Sequence, residues 1–252
     1  MGEAVSAGAG EAPGHDPTVE PTTHYWQEIL SADDPRAAAK PPYRLGYPAR
    51  LPDGRSLMLP LRPLPDGERA AASLIANHAS FEVVNALCGF MAGLARPSAP
   101  DVIVGMPTLG LAFAPEVARL LGHRHYVPLG YSRKFWYSEA LSEPTHSITT
   151  PGAGKRVYLD PNLVPRLQGR RVVLIDDAVS SGTTVVSVLN LLTRIGCEPL
   201  AVVVAMRQGV LWRETLGALD PAWPGRVHGV YDAPLFTRVP DGWVPIPASA
   251  AA

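Results

Sequence analysis

The sequence predicts a doubly wound α/β fold around a mainly parallel sheet, with a small peripheral element attached. Three observations carry this. Short apolar runs alternate with stretches of helical periodicity from Asp101 to Met206, the pattern of strands joined by crossover helices. The run Val172 to Ile175 is apolar at every position and mostly β-branched, as in a strand covered on both faces. At 252 residues the chain accommodates one sizeable domain with appendages.

In chain order, residues 1–23 are rich in Gly, Ala, Pro and Glu and read as a disordered tail. Residues 24–67 form the peripheral element. Within it, Arg50-Leu-Pro-Asp-Gly-Arg55 is a turn between two extended pieces, the second being Ser56 to Leu61. The core is expected over 68–215. It opens with a long helix, Glu68 to Ala95, which places Leu74, Ile75, His78, Leu87, Met91 and Leu94 on one face. Pro97 and Pro100 end it, and His78 on that stripe reads as a packed histidine.

Strands follow at Asp101–Gly105, Tyr126–Leu129, Lys155–Leu159, Val172–Ile175 and Pro199–Met206. Leu111 to Gly122 is a helix with Pro115 near its start, a tolerated position. A second helix begins after Thr183, with Val185, Val188, Leu189, Leu192 and Ile195 at helical spacing and Gly196 as its stop. Residues 216–252 read as a C-terminal segment without long regular structure, in which aromatics cluster.

Composition excludes several function classes. A net charge of −1 implies neither a nucleic-acid nor an anionic-membrane partner. Apolar runs such as Pro199–Met206 are too short to span a bilayer, and the small, acidic N-terminus shows no signal peptide. Two cysteines make no disulfide framework and fit reduced thiols in the cytoplasm. Cysteines and histidines show no metal-site spacing, and no P-loop motif occurs.

The most informative stretch is Arg171 to Thr184, Arg-Val-Val-Leu-Ile-Asp-Asp-Ala-Val-Ser-Ser-Gly-Thr-Thr. A buried strand runs into two carboxylates, then a loop of small and hydroxylated residues, then a helix start. Gly182 lets the chain turn and a ligand approach the backbone. Ser180, Ser181, Thr183 and Thr184 offer hydroxyls beside unpaired helix N–H groups, where the helix dipole favours an anion. Asp176 and Asp177 would repel a phosphate directly, so they suit neighbouring hydroxyls. A sugar phosphate offers both groups. Strands ending in Asp-Asp also occur in receiver domains and as metal-binding acid pairs in nucleotide hydrolases; the Ser-Ser-Gly-Thr-Thr continuation sets this one apart.

The stretch resembles the phosphoribosyl-pyrophosphate (PRPP) motif of type I phosphoribosyltransferases, and the chain is closest in feel to those acting on adenine and other purines. The resemblance covers roughly Asp101 to Met206 and implies the fold of that family with a small hood. It assigns Ala178, Val179, Ser180, Ser181, Gly182, Thr183 and Thr184 to the ribose 5-phosphate and Asp176 and Asp177 to the sugar hydroxyls. Val104-Gly-Met106-Pro107-Thr108-Leu109-Gly110 then corresponds to the loop that binds pyrophosphate, often through a strained peptide bond. Family members often carry Arg or Lys before the final glycine. This chain has Leu109 there, so contacts would come mainly from backbone.

The polar stretch from Gly130 to Gly154 matches the family's mobile catalytic loop. Arg133 and Lys134 on it would neutralise the departing pyrophosphate, unless they are solvated surface charges. Glu139 and Glu143 are possible proton carriers there, with nothing to single out either.

In the family a hood of peripheral segments grips the base. The hairpin near Arg50–Leu61 and the C-terminal tail are the candidates. Tyr231 or Phe236 would stack on the base and Asp232 would accept from it, or these aromatics merely pin the tail to the domain. The implied cofactor is magnesium, held largely by substrate oxygens with Asp176 and Asp177 contributing indirectly. The implied partners are PRPP and a nucleobase, and the implied assembly is a homodimer. The same fold also serves non-catalytic PRPP-binding regulators, and within the enzymes the acceptor is a purine such as adenine, a pyrimidine or a pathway-specific amine.

Overall fold

The computed structural model describes residues 24–147 and 150–247, those of 146–147 and 150–154 by backbone alone. The segment expected to be a disordered tail, 1–23, lies outside them. Two five-stranded sheets organise the chain.

The core sheet is all parallel. Its strands are β4 (Val102–Gly105), β5 (Val127–Pro128), β8 (Val172–Val179), β9 (Ala201–Gln208) and β10 (Val227–Ala233), in the spatial order β10-β9-β8-β4-β5. Alternate residues of each strand face opposite ways. Ile103, Val173, Ile175 and Val203 join one buried cluster, with α1 (Phe81–Ala95) and α2 (Ala114–Leu120). Val102, Val104, Val172, Leu174, Val202 and Val204 join another, with α3 (Thr183–Thr193) and Trp212 and Leu216 of α4 (Leu211–Leu219). A strand buried on both faces has no polar side to present, hence the unbroken apolar run.

From β4 the chain steps outward to β5, whereas from β8 it steps the other way to β9 and β10. The order therefore reverses between the adjacent strands β4 and β8. Crevices at such a switch point, at the carboxyl ends of the strands, are where doubly wound sheets hold ligands.

The second sheet is antiparallel, β1 (Gly46–Arg50), β2 (Ser56–Pro63), β3 (Arg69–Ala72), β11 (Leu235–Val239) and β12 (Gly242–Pro245). It closes on itself. Tyr43, just before β1, exchanges both backbone hydrogen bonds with Trp243 of β12, at 2.8 and 2.7 Å. The result is a small barrel filled by Leu57, Leu59, Ala70 and Phe236. Gln208 at the end of β9 donates to the Ala72 carbonyl at 2.7 Å and ties the barrel to the core.

Several expectations are corrected. The helix expected over Glu68–Ala95 is strand β3, a turn, and only then α1. The alanines of β3 pair between β2 and β11, and Ser80 caps α1 by accepting from the Val83 N–H at 3.2 Å. His78 falls in the turn and is exposed. The strand expected at Lys155–Leu159 stands outside the core sheet. It is part of β7 (Thr150–Tyr158), antiparallel to β6 (Ser142–Ser147). The helix expected over Leu111–Gly122 is a turn over Leu109–Ala112 followed by α2. The C-terminal segment is regular: β10 extends the core sheet and β11 and β12 complete the barrel. Sheet membership thus divides the chain elsewhere than at 67/68 and 215/216, since β3 belongs with the barrel and β10 with the core.

Candidate active site

Strand β8 continues past its apolar run and carries both acids at its carboxyl end. Asp176 is 6% exposed, while Asp177 is half-buried. The Asp177 N–H donates to Asp176 Oδ1 at 2.9 Å, and the Gly110 N–H also faces that carboxyl. Burial, and then the charge of Asp177, hold the Asp176 carboxyl well above the usual carboxylate range. Burial raises Asp177 too. Two adjacent carboxyls short of water resist carrying two charges at once, so donors arriving from a ligand are favoured there.

After Ser180 and Ser181 the chain turns at Gly182, whose φ of +81° suits glycine. A side chain there would also meet the Trp212 backbone at 3.2 Å. Gly182 is the N-cap of α3 and gives it no side-chain cap, and the first turn holds no acid. The helix therefore presents backbone donors and the positive end of its dipole. Ser181 Oγ and Thr183 Oγ1 lie 2.9 Å apart and flank that end.

The second loop leaves β4 at Gly105. The Met106 N–H donates to the Ile175 carbonyl at 2.9 Å, fastening the loop to β8 beside the acids. The Pro107–Thr108 peptide is cis. Met106, Pro107 and Gly110 are buried, Thr108 is exposed and Leu109 is half-buried. A Cβ on Gly110 would stand 2.7 Å from Asp176 Oδ1 and from the Ile175 carbonyl. Only glycine brings this loop so close to the acid pair.

The third element is the long excursion between β5 and β8. Its base is pinned where Gly130 and Tyr158 exchange backbone hydrogen bonds at 3.1 and 2.8 Å. Its hairpin β6–β7 lies on α3. Ser187 Oγ donates to the Pro144 carbonyl at 2.8 Å, and Arg194 donates to the Ser142 carbonyl at 2.7 Å and to the Glu143 carboxylate. The tip is open to solvent. Arg133 and Lys134 are exposed there, and Phe135 is 96% exposed. Arg133 is paired with Glu139 of the same loop at 2.8 Å.

The structure thus brings Asp176, Asp177, the 178–184 turn and the 106–110 loop to one place, and sets Arg133 and Lys134 on the excursion that begins at its edge. The expected base-stacking rings are both buried, Tyr231 within the influence of Asp177. Tyr231 is 4% and Phe236 0% exposed, so neither ring offers an open face. Phe236 packs edge-on against Tyr43 and Tyr47 inside the barrel. Asp232 is held by Arg207 through two hydrogen bonds, at 2.7 and 2.9 Å. Of the two readings of these aromatics, pinning the tail is the one the packing displays.

Three residues without a role in the sequence reading also stand at this end of the sheet. Burial and the charges of Asp176 and Asp177 push the Tyr131 hydroxyl up to about 12. Lys155 Nζ sits 5.4 Å from the centre of the Tyr131 ring and links the two ends of the excursion. Arg207 stands next to last in β9, over Gly229 and against Asp232. A charged residue closing an apolar parallel strand was the available signal for it; for the Tyr131–Lys155 contact there was none.

A doubly wound sheet whose switch point carries an acid pair, a donor-rich helix start and a glycine-fastened loop defines a protein built to hold a phosphorylated sugar. The chain belongs to the phosphoribosyl transferase domain family, whose model matches residues 71–217. It is a type I phosphoribosyltransferase, related to the adenine phosphoribosyltransferases. An adenine phosphoribosyltransferase from a Nocardioides species is 31% identical over 154 residues, 58% of this chain and 76% of the relative. Among solved structures, an APRTase from Giardia lamblia complexed with 9-deazaadenine superimposes with a TM-score of 0.54 at 18% identity, covering 68% of this chain and 93% of that one. The adenine phosphoribosyltransferase of Thermoanaerobacter pseudethanolicus gives 0.50 at 19% identity, covering 60% and 81%. At such identities the structures speak for the fold.

Proposed function

We propose that this phosphoribosyltransferase joins the 5-phosphoribosyl group of PRPP to a purine, adenine first, and releases pyrophosphate. The observation that carries the reading is the acid pair beside the glycine-led start of α3, flanked by the Ser181 and Thr183 hydroxyls, together with the Nocardioides relative named for adenine. In this reading the 5-phosphate rests on the 180–184 backbone and hydroxyls. Asp176 and Asp177 accept from the ribose hydroxyls and hold the anomeric carbon in place. The pyrophosphate end lies on the 106–110 loop, where Leu109 replaces a cation and leaves backbone N–H groups to make the contacts.

A base nitrogen then attacks the anomeric carbon as the bond to pyrophosphate breaks. Charge collects on the departing oxygens. Arg133 gives up Glu139 and, with Lys134, follows the tip of the excursion inward to meet that charge and exclude water.

The donor set fits magnesium brought by the substrate. Asp176 and Asp177 are hard oxygen donors, and no cluster of three or more His, Cys, Asp or Glu among the described residues forms a resident metal cage. When bound, the ion would neutralise pyrophosphate oxygens, with the two acids holding it indirectly. We assign the protein to the cytoplasm as a homodimer. Cys88 and Cys197 are free and buried, and burial pushes their thiols up to about 12 and about 11, which keeps them protonated and unreactive. No described helix is long and apolar enough to cross a membrane.

Pyrophosphate release is to be measured with PRPP, magnesium and a panel of bases. Turnover with adenine at least tenfold above that with hypoxanthine, guanine, uracil and orotate is expected. A preference for a pyrimidine, or no turnover with any base, would overturn the assignment.

A further inference from the structure

We propose that the mouth of the barrel remote from the acid pair binds a phosphate ester of nucleotide size. The end of the barrel near Ala71 and Ala72 faces the core, because Leu235 enters there from β10 and Gln208 bonds the Ala72 carbonyl. At the other end, where the Arg238 N–H meets the Glu68 carbonyl, lies a cavity of about 750 Å³. Arg44, Arg62, Arg238 and Trp243 line it, together with Glu68 and Asp241. It shares no residue with the 106–110 loop, the acid pair or the 178–184 turn.

Three facts point to an anion. Neither Glu68 nor Asp241 forms an ion pair with any of the three arginines, although all five line one cavity, whereas Arg55 and Arg69 of the same barrel are paired with Asp53 and Asp66. The guanidinium of Arg238 lies 5.2 Å from the centre of the Trp243 ring, which holds its fork in one orientation. Three arginines against Glu68 and Asp241 leave the lining with one net positive charge, in a protein whose net charge is −1.

Guanidinium forks match phosphate oxygens in pairs. The cavity is much larger than one phosphate and falls within the range of small-molecule sites, roughly 300–1,000 Å³, which barrel mouths often provide. A phosphate ester with a sugar and base attached fills it. Its phosphate meets the arginines, and the rest lies along the leucines and prolines of the wall.

Calorimetric titration of the intact protein with adenosine monophosphate tests this, with Arg44→Ala/Arg62→Ala as the variant and circular dichroism as the check on folding. The folded variant is expected to bind one equivalent fewer than the wild type, while its pyrophosphate release from PRPP stays within twofold. Adenosine is expected not to bind the groove, and added pyrophosphate to displace the nucleotide from it. Equal stoichiometry in wild type and variant would overturn the proposal, and so would adenosine binding as well as its monophosphate. The comparison reads a difference between two proteins, so it stands even if the core site takes another base.

Discussion

At the scale of single residues, the site turns on two carboxyls that differ in burial. Asp177, half-buried, is the more accessible of the two. Asp177→Asn keeps the shape and removes the charge, so steady-state turnover should fall by roughly 10²-fold or more while the melting temperature holds. Unchanged turnover would remove Asp177 from the mechanism. Asp176 makes a different prediction. Its pKa in the folded state lies above the unfolded value, so its contribution to stability is full below about 3.8 and is lost as pH rises through the folded value. Asp176→Asn should therefore melt higher than the wild type at neutral pH without ligand, and the gain should vanish near pH 3. Equal melting temperatures at both pH values would contradict the buried, raised carboxyl. The sequence displayed both acids through their place after an apolar run. Which of them is buried was not legible, because that depends on Gly110, far away in the chain and packed against Asp176.

At the scale of elements, the glycine-fastened loop and the excursion set the geometry. Gly110→Ala puts a methyl within 2.7 Å of Asp176 Oδ1 and the Ile175 carbonyl. Such overpacking costs about 1–3 kcal/mol, and because the strain falls between loop and acids, the KM for PRPP should rise more than tenfold. A variant with wild-type KM would show that the loop can give way freely. The excursion depends on its clamp to α3. Arg194→Ala releases Ser142 and Glu143, and kcat should drop several-fold in stopped-flow turnover with little change in melting temperature, as when a lid loses its hinge. Strands β4, β8 and β9 and helix α3 were readable because continuous β-branched runs and helical spacing are local signals. The β6–β7 hairpin was not, since Ser142–Ser147 has no alternation of period two and its support comes from α3. The alanines of β3 have helix propensity, and pairing on both sides overrides it.

At the scale of the whole molecule, a doubly wound core and a closed barrel meet at the carboxyl ends of the strands. Of the core, β4, β5, β8 and β9 were legible, whereas β10 was not and the strand expected at Lys155–Leu159 belongs to another sheet. The barrel was visible only as one hairpin, because β3 pairs with β11 across most of the chain length and no local pattern announces such a partner. Its closure rests on Gly242, where φ is +144° and a Cβ would stand 2.3 Å from the Tyr43 carbonyl oxygen. Gly242→Ala should part Trp243 from Tyr43 and destabilise the protein by more than about 2 kcal/mol, a fall of roughly 4 °C or more in melting temperature. A variant that melts with the wild type would show that the seam between β12 and Tyr43 is dispensable.

That seam also imposes an order in time. Strands β1 to β3 leave the ribosome before the core sheet exists, and they wait with open edges until β11 and β12, which follow every core strand in the chain, arrive to complete the ring. Contacts so distant along the chain form slowly. The barrel therefore closes only after the core strands have been made, and a message cut short after β10 yields a core whose first three strands have nothing to close against.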